Sequence, residues 1–206
     1  MLYSSKQQFL FIHIYKTGGN SVRKVLEPYA DGYNLLYKLK GLVRQNHVLP
    51  SKLAPKHANA QVAKAAVGEQ LFNSSFKFAF VRNPWDWQVS LYHFALRDKS
   101  NHHHKIISAF PNFDTYLSWR VNEELRLQKA MITDENGDII VNYVGRFERL
   151  QEDFNAICKN LKLPISDLPL LNKGNRKDYR SYYNEKTAKM VERAYAEDIS
   201  TFGYSF

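Results

Sequence analysis

The chain has 206 residues, 29 of them Lys or Arg and 20 Asp or Glu, for a formal charge of +9. With 44% hydrophobic and 14% aromatic residues it is neither disordered nor collagen-like, and at this size roughly 70% of the unfolded surface is buried on folding, enough for a core. One cysteine, Cys158, excludes an intrachain disulfide framework and a thiolate zinc site. No apolar run nears the roughly 20 residues that span a bilayer, and the start MLYSSKQQFLFIHIY carries no small-residue cleavage site of a secretory signal. We therefore expect one domain over residues 1–206, cytoplasmic, with no stable membrane insertion. Lys and Arg are spread along the chain, which fits an anion-lined cleft better than a basic tail, a merely basic surface being the plainer alternative.

Residues 8–14, QFLFIHI, read as a short apolar strand followed by a small-residue turn. Asn20 and Ser21 are expected to cap a helix over residues 21–27, closed by Pro28. Between 29 and 57, Gly32, Gly41, Pro50 and Pro55 break any long period. Residues 58–72 read as helix and 76–81, FKFAFV, as the second clear strand. Asn83 and Pro84 open another helix, Pro84 suiting its first position. The stretch 98–111 reads as a polar loop, and a helix follows over 112–127. Asp134 to Asp138 signal a turn before a β-branched strand or hairpin over 139–144. Amphipathic helices over 149–161 and 185–199 close the chain. Strands alternating with helices predict an α/β layer with a mainly parallel sheet.

Two strand-to-helix junctions have the form of anion sites. In the first, His13-Ile14-Tyr15-Lys16-Thr17-Gly18-Gly19-Asn20-Ser21, two glycines allow a tight turn in which successive N–H groups face an anion. The helix N-terminus adds roughly half a positive charge. Thr17, Asn20 and Ser21 bring short side-chain donors and Lys16 a cation. The lysine precedes the glycines, unlike GxxxxGK[ST], which weakens the case for a Mg-nucleotide kinase; the plainer reading is a glycine turn with a solvated Lys16. In the second, Arg82 ends the strand run and Ser90 lies about two helical turns on. Arg82 either makes a bidentate bond to phosphate, with Ser90 sharing the anion, or pairs with Asp86.

Together these segments resemble the PAPS-dependent sulfotransferase superfamily (PAPS being 3′-phosphoadenosine 5′-phosphosulfate), and in detail its carbohydrate-type, heparan and chondroitin sulfotransferase-like branch. That family has a KTGGTS-like loop for the 5′-phosphosulfate and an RNP…S segment for the 3′-phosphate. Lys56-His57-Ala58-Asn59-Ala60 is similar to its KHATA-type segment, Val144 to Leu150 to its IGRFE-L stretch, and Asp198 to Phe206 to its acidic-aromatic tail. The likeness spans nearly the whole chain, with Asn20 where Thr is usual and Trp87 where many relatives carry Arg. It implies a P-loop-like three-layer α/β sandwich, a central mainly parallel sheet flanked by helices, and sulfuryl transfer from PAPS to an acceptor hydroxyl of a carbohydrate. It also implies that a basic loop closes on the 3′-phosphate, which points to Lys173 and Arg176.

Such a transfer needs the 5′-phosphate leaving oxygen stabilised and the acceptor placed in line behind sulfur. Lys16 is the candidate for the first task, with the N–H groups of Thr17, Gly18, Gly19, Asn20 and Ser21. No clustered carboxylates offer to hold Mg²⁺. The acceptor must lose a proton to a base of near-neutral pKa. His57 is the candidate, its alternative role being a cap for a helix beginning at Ala58. His13 either reaches the same cleft or, the plainer reading, is a strand residue packed or hydrogen-bonded locally, and Lys56 is a candidate to hold an acidic substrate or the sulfonate. Arg146 either binds phosphate or pairs with Glu148 or Glu152. The adenine slot falls near Tyr179, Tyr182 and Tyr183. His102-His103-His104 lacks the i, i+4 geometry of a zinc pair and reads as a loop over the cleft. Trp85, Trp87, Trp119 and Cys158 read as core. Two other readings stand beside this one: a P-loop-like kinase using ATP, and a non-catalytic polyanion-binding module, with nucleic acid not expected as a partner.

Overall fold

Two aromatic-rich runs make the centre of the sheet. In the computed structural model, which describes residues 1–31, 56–171 and 177–206, strand β1 is Leu2–Ser4, β2 Phe9–Ile12, β3 Phe76–Val81 and β4 Tyr143–Arg146. Their order is β1-β2-β3-β4. β2, β3 and β4 are parallel, and β1 is an antiparallel edge strand. The chain is thus of the α/β class, with a central mainly parallel sheet flanked by helices.

The described residues fall into two compact units. The first is Met1–Val81 with Ala130–Asn172, and the second Arg82–Lys129 with Lys173–Phe206. In the first unit, alternation along the strands sends Phe9, Phe11, Phe78 and Phe80 to one sheet face. There they pack against Val22 and Leu26 of α1 (Gly19–Leu26) and Phe154, Ile157 and Cys158 of α7 (Leu150–Asn160). Leu10, Ile12, Ala79 and Val81 alternate onto the other face and are also buried. Burial on both faces explains why these strands read as continuous apolar runs. Gly145 of β4 lies against the Phe80 ring; a Cβ there would sit 2.5 Å from a ring carbon. That packing gives the glycine of the VGRFE segment a structural reason.

Helix starts follow local chemistry. The predicted helix over 58–72 is two helices, α2 (Ala60–Val67) and α3 (Glu69–Ser74). Asn59 caps α2, its side chain accepting from the Val62 N–H at 2.8 Å. Gly68 breaks the run with φ 85° and ψ 152°, a conformation open essentially to glycine alone. The strand expected over 139–144 lies at 143–146, and Ile139 makes only an isolated bridge to Thr133.

The second unit is helical: α4 (Pro84–Arg97), α5 (His104–Ser108), α6 (Phe113–Asn122), α8 (Glu185–Ala194) and α9 (Ala196–Phe202). Pro84 takes the first turn of α4, as expected. The stretch predicted as loop contains α5, and the closing helix breaks at Tyr195. Trp87 is fully buried, its ring against Tyr195. Among the described residues no helix is long and apolar enough to cross a membrane.

Candidate active site

The turn from β2 into α1 is built on two residues of positive φ. Lys16 has φ 64° and Gly18 φ 82°. A lysine held in the left-handed region costs on the order of 1–3 kcal/mol, a strain that clusters at functional sites. Thr17 is buried, and its hydroxyl ties the loop by donating to the Ile14 carbonyl at 2.8 Å. Gly18 is the N-cap of α1, which has no side-chain cap and no acidic residue in its first turn. The helix therefore starts before Asn20 and Ser21, which were expected to cap it. The reason is that Gly18, free of a Cβ, takes the left-handed conformation from which the helix starts. A Cβ at Gly18 would fall 2.6 Å from Leu150, and one at Gly19 2.2 Å from the His13 ring. Asn20 is exposed, and the Ser21 hydroxyl donates to the Pro169 carbonyl at 2.6 Å.

His57 stands over the entry to this loop. Its Nδ1 lies 2.9 Å from the His13 carbonyl oxygen. Its ring meets that of His13 edge-on at 4.6 Å and that of Tyr15 at 6.0 Å. It does not cap the following helix; Asn59 does. Burial lowers the His57 pKa, with Lys56, the N-terminal amine and Arg23 pushing the same way and the His13 carbonyl opposing. The imidazole is accordingly neutral at pH 7, the state a general base requires. His13 is 3% exposed, stacked on Phe11. Burial, then the nearby His57 and cations, holds its pKa at about 2.

Beside the first turn of α1 an open cleft of about 400 Å³ is lined by Asn20, Arg23, Lys24, Glu27, Lys56 and Leu171. Arg23 bonds Glu27 at 2.7 Å. Burial and the Arg23 charge lower the Lys56 pKa, with Glu27 opposing. Arg146 ends β4, its N–H donating to the buried Asp153 carboxylate at 2.6 Å; Asp153 also accepts from the Tyr143 hydroxyl.

In the second unit, Arg82 follows β3 directly and is 5% exposed. Its Nε donates to Asp86 Oδ2 at 2.7 Å, so the ion pair weighed from the sequence is present. Its main chain is clamped by Gln128, whose Oε1 accepts from the Arg82 N–H and whose Nε2 donates to the Arg82 carbonyl, both at 2.8 Å. The buried Asp198 carboxylate accepts in turn from the N–H groups of Gln128 and Lys129. Sequence reading missed this support, because 46 and 70 residues separate the partners. Only the acidic-aromatic tail gave a hint of it. Asn83 caps α4 and donates to the Ser205 carbonyl at 2.8 Å. Ser90 lies on the same helix, 9% exposed.

Tyr183 donates its hydroxyl to the Trp85 carbonyl, and Tyr179 and Tyr183 both pack on Phe206. His103 packs on Trp119 and lies 3.6 Å from Glu124, while His104 bonds the Ala95 carbonyl. The His102 ring lies against that of His103, their centroids 3.8 Å apart. Among the described residues no three His, Cys, Asp or Glu side chains are placed to hold a metal ion. Lys173 and Arg176 lie outside the described residues.

Comparison with known proteins agrees with this architecture. An uncharacterized protein of Archaeoglobus fulgidus is 30% identical over 105 residues, 51% of this chain and 82% of that protein. A mouse sulfotransferase crystallised in complex with PAP superposes with a TM-score of 0.58 over 96% of this chain and 86% of that one. At 14% identity that likeness is one of fold. A profile of the Sulfotransferase family matches residues 1–205. With a glycine loop between the first parallel strand and its helix, and a match along almost its entire length, the chain belongs to the sulfotransferase family.

Proposed function

We propose that this protein is a single-domain, cytoplasmic enzyme that moves the sulfuryl group of PAPS to an acceptor hydroxyl of a carbohydrate, with His57 as general base. The observation that carries the reading is the pairing, within the first unit, of a glycine-built helix N-terminus without a side-chain cap with a histidine bonded to the main chain at its entry. The cradle suits a phosphosulfate: its first turn holds no carboxylate, and its N–H groups and helix dipole favour an anion.

PAPS, when bound, supplies the sulfuryl group and a 3′,5′-bisphosphate leaving group. Lys16 and the N–H groups of residues 17–21 hold the 5′-phosphosulfate. Because the Thr17 and Ser21 hydroxyl protons are donated within the protein, the main chain rather than these side chains does most of the donating. Arg82 and Ser90 take the 3′-phosphate, a guanidinium being suited to phosphate oxygens. Arg146, Lys173 and Arg176 complete the grip. As the acceptor oxygen bonds sulfur and the bond from sulfur to the phosphate oxygen breaks, His57 Nε2 takes the hydroxyl proton. Lys16 and the α1 terminus take up the charge left on the phosphate. The cationic cleft at Arg23, Lys24 and Lys56 favours an acceptor that itself carries negative charge.

Calorimetric titration with PAP, beside 5′-AMP and Mg-ATP, tests the cofactor. Metal-independent binding that needs both phosphates and is lost in Arg82→Ala is expected; a preference for Mg-ATP overturns the reading. His57→Ala should retain PAP binding while turnover falls by about 10²–10⁴-fold.

A further inference from the structure

We propose that His13 is a positioning residue for His57, its main-chain carbonyl fixing the His57 tautomer and its ring fixing where that imidazole stands. The inference rests on the reading of His57 as the base.

A carbonyl oxygen only accepts, so the 2.9 Å contact requires the hydrogen of neutral His57 to sit on Nδ1. Nε2 is then the atom with the lone pair, the one able to take a proton. The carbonyl belongs to the residue that directly follows β2 (Phe9–Ile12), so the base is referenced to the sheet.

The His13 ring has no such bond to explain its chemistry. Its Nδ1 is buried without a hydrogen-bond partner, an arrangement that costs roughly 1–3 kcal/mol. A phenylalanine would stack on Phe11 without that cost. What the imidazole does touch is functional: the His57 ring on one side, and position 19 on the other, where the absence of a Cβ makes room for it. The ring is therefore a spacer between the base and the first turn of α1, the turn proposed to hold the donor. A five-membered ring fits that gap; a shift of about 1 Å in a reacting group can cost 10²-fold in rate.

Burial keeps His13 neutral beside His57, so the base takes up its proton next to an uncharged ring. The groups facing His57 are His13, Tyr15, Lys56, Arg23 and the N-terminal amine; none is a carboxylate that would hold it protonated.

Nitrogen-15 NMR of the histidine side chains, in the full-length protein, reads the tautomer directly. His57→Gln serves to assign its signals. We expect the Nδ1–H form for neutral His57; the Nε2–H form overturns the proposal, whatever the variants do. His13→Phe and His13→Ala should bind PAP within about threefold of wild type, yet lose about tenfold or more in kcat, with the acid limb of the pH–rate profile displaced. Wild-type kcat and an unmoved acid limb in both folded variants would also overturn it. If instead His57→Ala keeps full turnover, the base reading fails, while the tautomer measurement still stands on its own.

Discussion

At the scale of single residues, the imidazole of His13 couples the fold to pH. Its folded pKa of about 2 lies well below the ordinary 6.5, so between those values the unfolded chain binds a proton that the native state refuses. Stability from this group is fully present above pH 6.5 and is lost as the pH falls, at about 1.4 kcal/mol per pH unit. His57 and His103 are lowered too and act in the same direction. Urea unfolding at pH 7.5, 6 and 5 should show this decline, and His13→Phe should flatten it. An equal slope in wild type and variant would show that the decline comes from other groups. Arg82 illustrates how residue-level reading stops short. The i, i+4 spacing to Asp86 announced the ion pair, and the strand-end position announced a phosphate ligand. Both are compatible with one guanidinium, and no pattern in the chain could rank them.

Among elements, the junction of β2 with α1 was the most legible, because strand, glycine pair and helix are contiguous and each is dictated by local chemistry. Its glycines, however, do two different jobs. Gly18 supplies a positive φ, a backbone matter that turn chemistry anticipates. Gly19 has no positive φ and is required by the close approach of His13, which only packing reveals. Gly19→Ala should therefore destabilise the protein by about 1–3 kcal/mol and displace His13, lowering turnover along with donor binding. Thermal melting and steady-state kinetics check this; a variant with wild-type melting and kcat would mean that the ring yields without consequence. Boundaries failed where one glycine's backbone conformation or a long-range partner decided them. Gly68 splits a helix that its apolar spacing would continue, and β4 begins at Tyr143 because it pairs with Phe78, 65 residues earlier.

For the whole molecule, donor binding should appear as stability. PAP at 100 times its Kd adds about 2.7 kcal/mol to the native state, a rise of roughly 5–11 °C in melting temperature for a chain of this size. The rise should persist in EDTA, shrink with salt because the +9 charge is screened, and vanish in Arg82→Ala. A rise that requires Mg²⁺ and is as large with ATP would count against a sulfotransferase donor. What the sequence by itself determined was the class of fold, the sulfotransferase family and the two anion-shaped junctions. All of these are written in short contiguous runs whose periodicity, glycines and caps act over a few residues. The tertiary structure decided which group each of those residues meets. It set His57 on the His13 carbonyl, braced Arg82 with Gln128 and Asp198, and bonded the Thr17 and Ser21 hydroxyls to the Ile14 and Pro169 carbonyls. Burial and partner choice depend on segments far apart in the chain, and they fix protonation and tautomer, which local sequence does not encode.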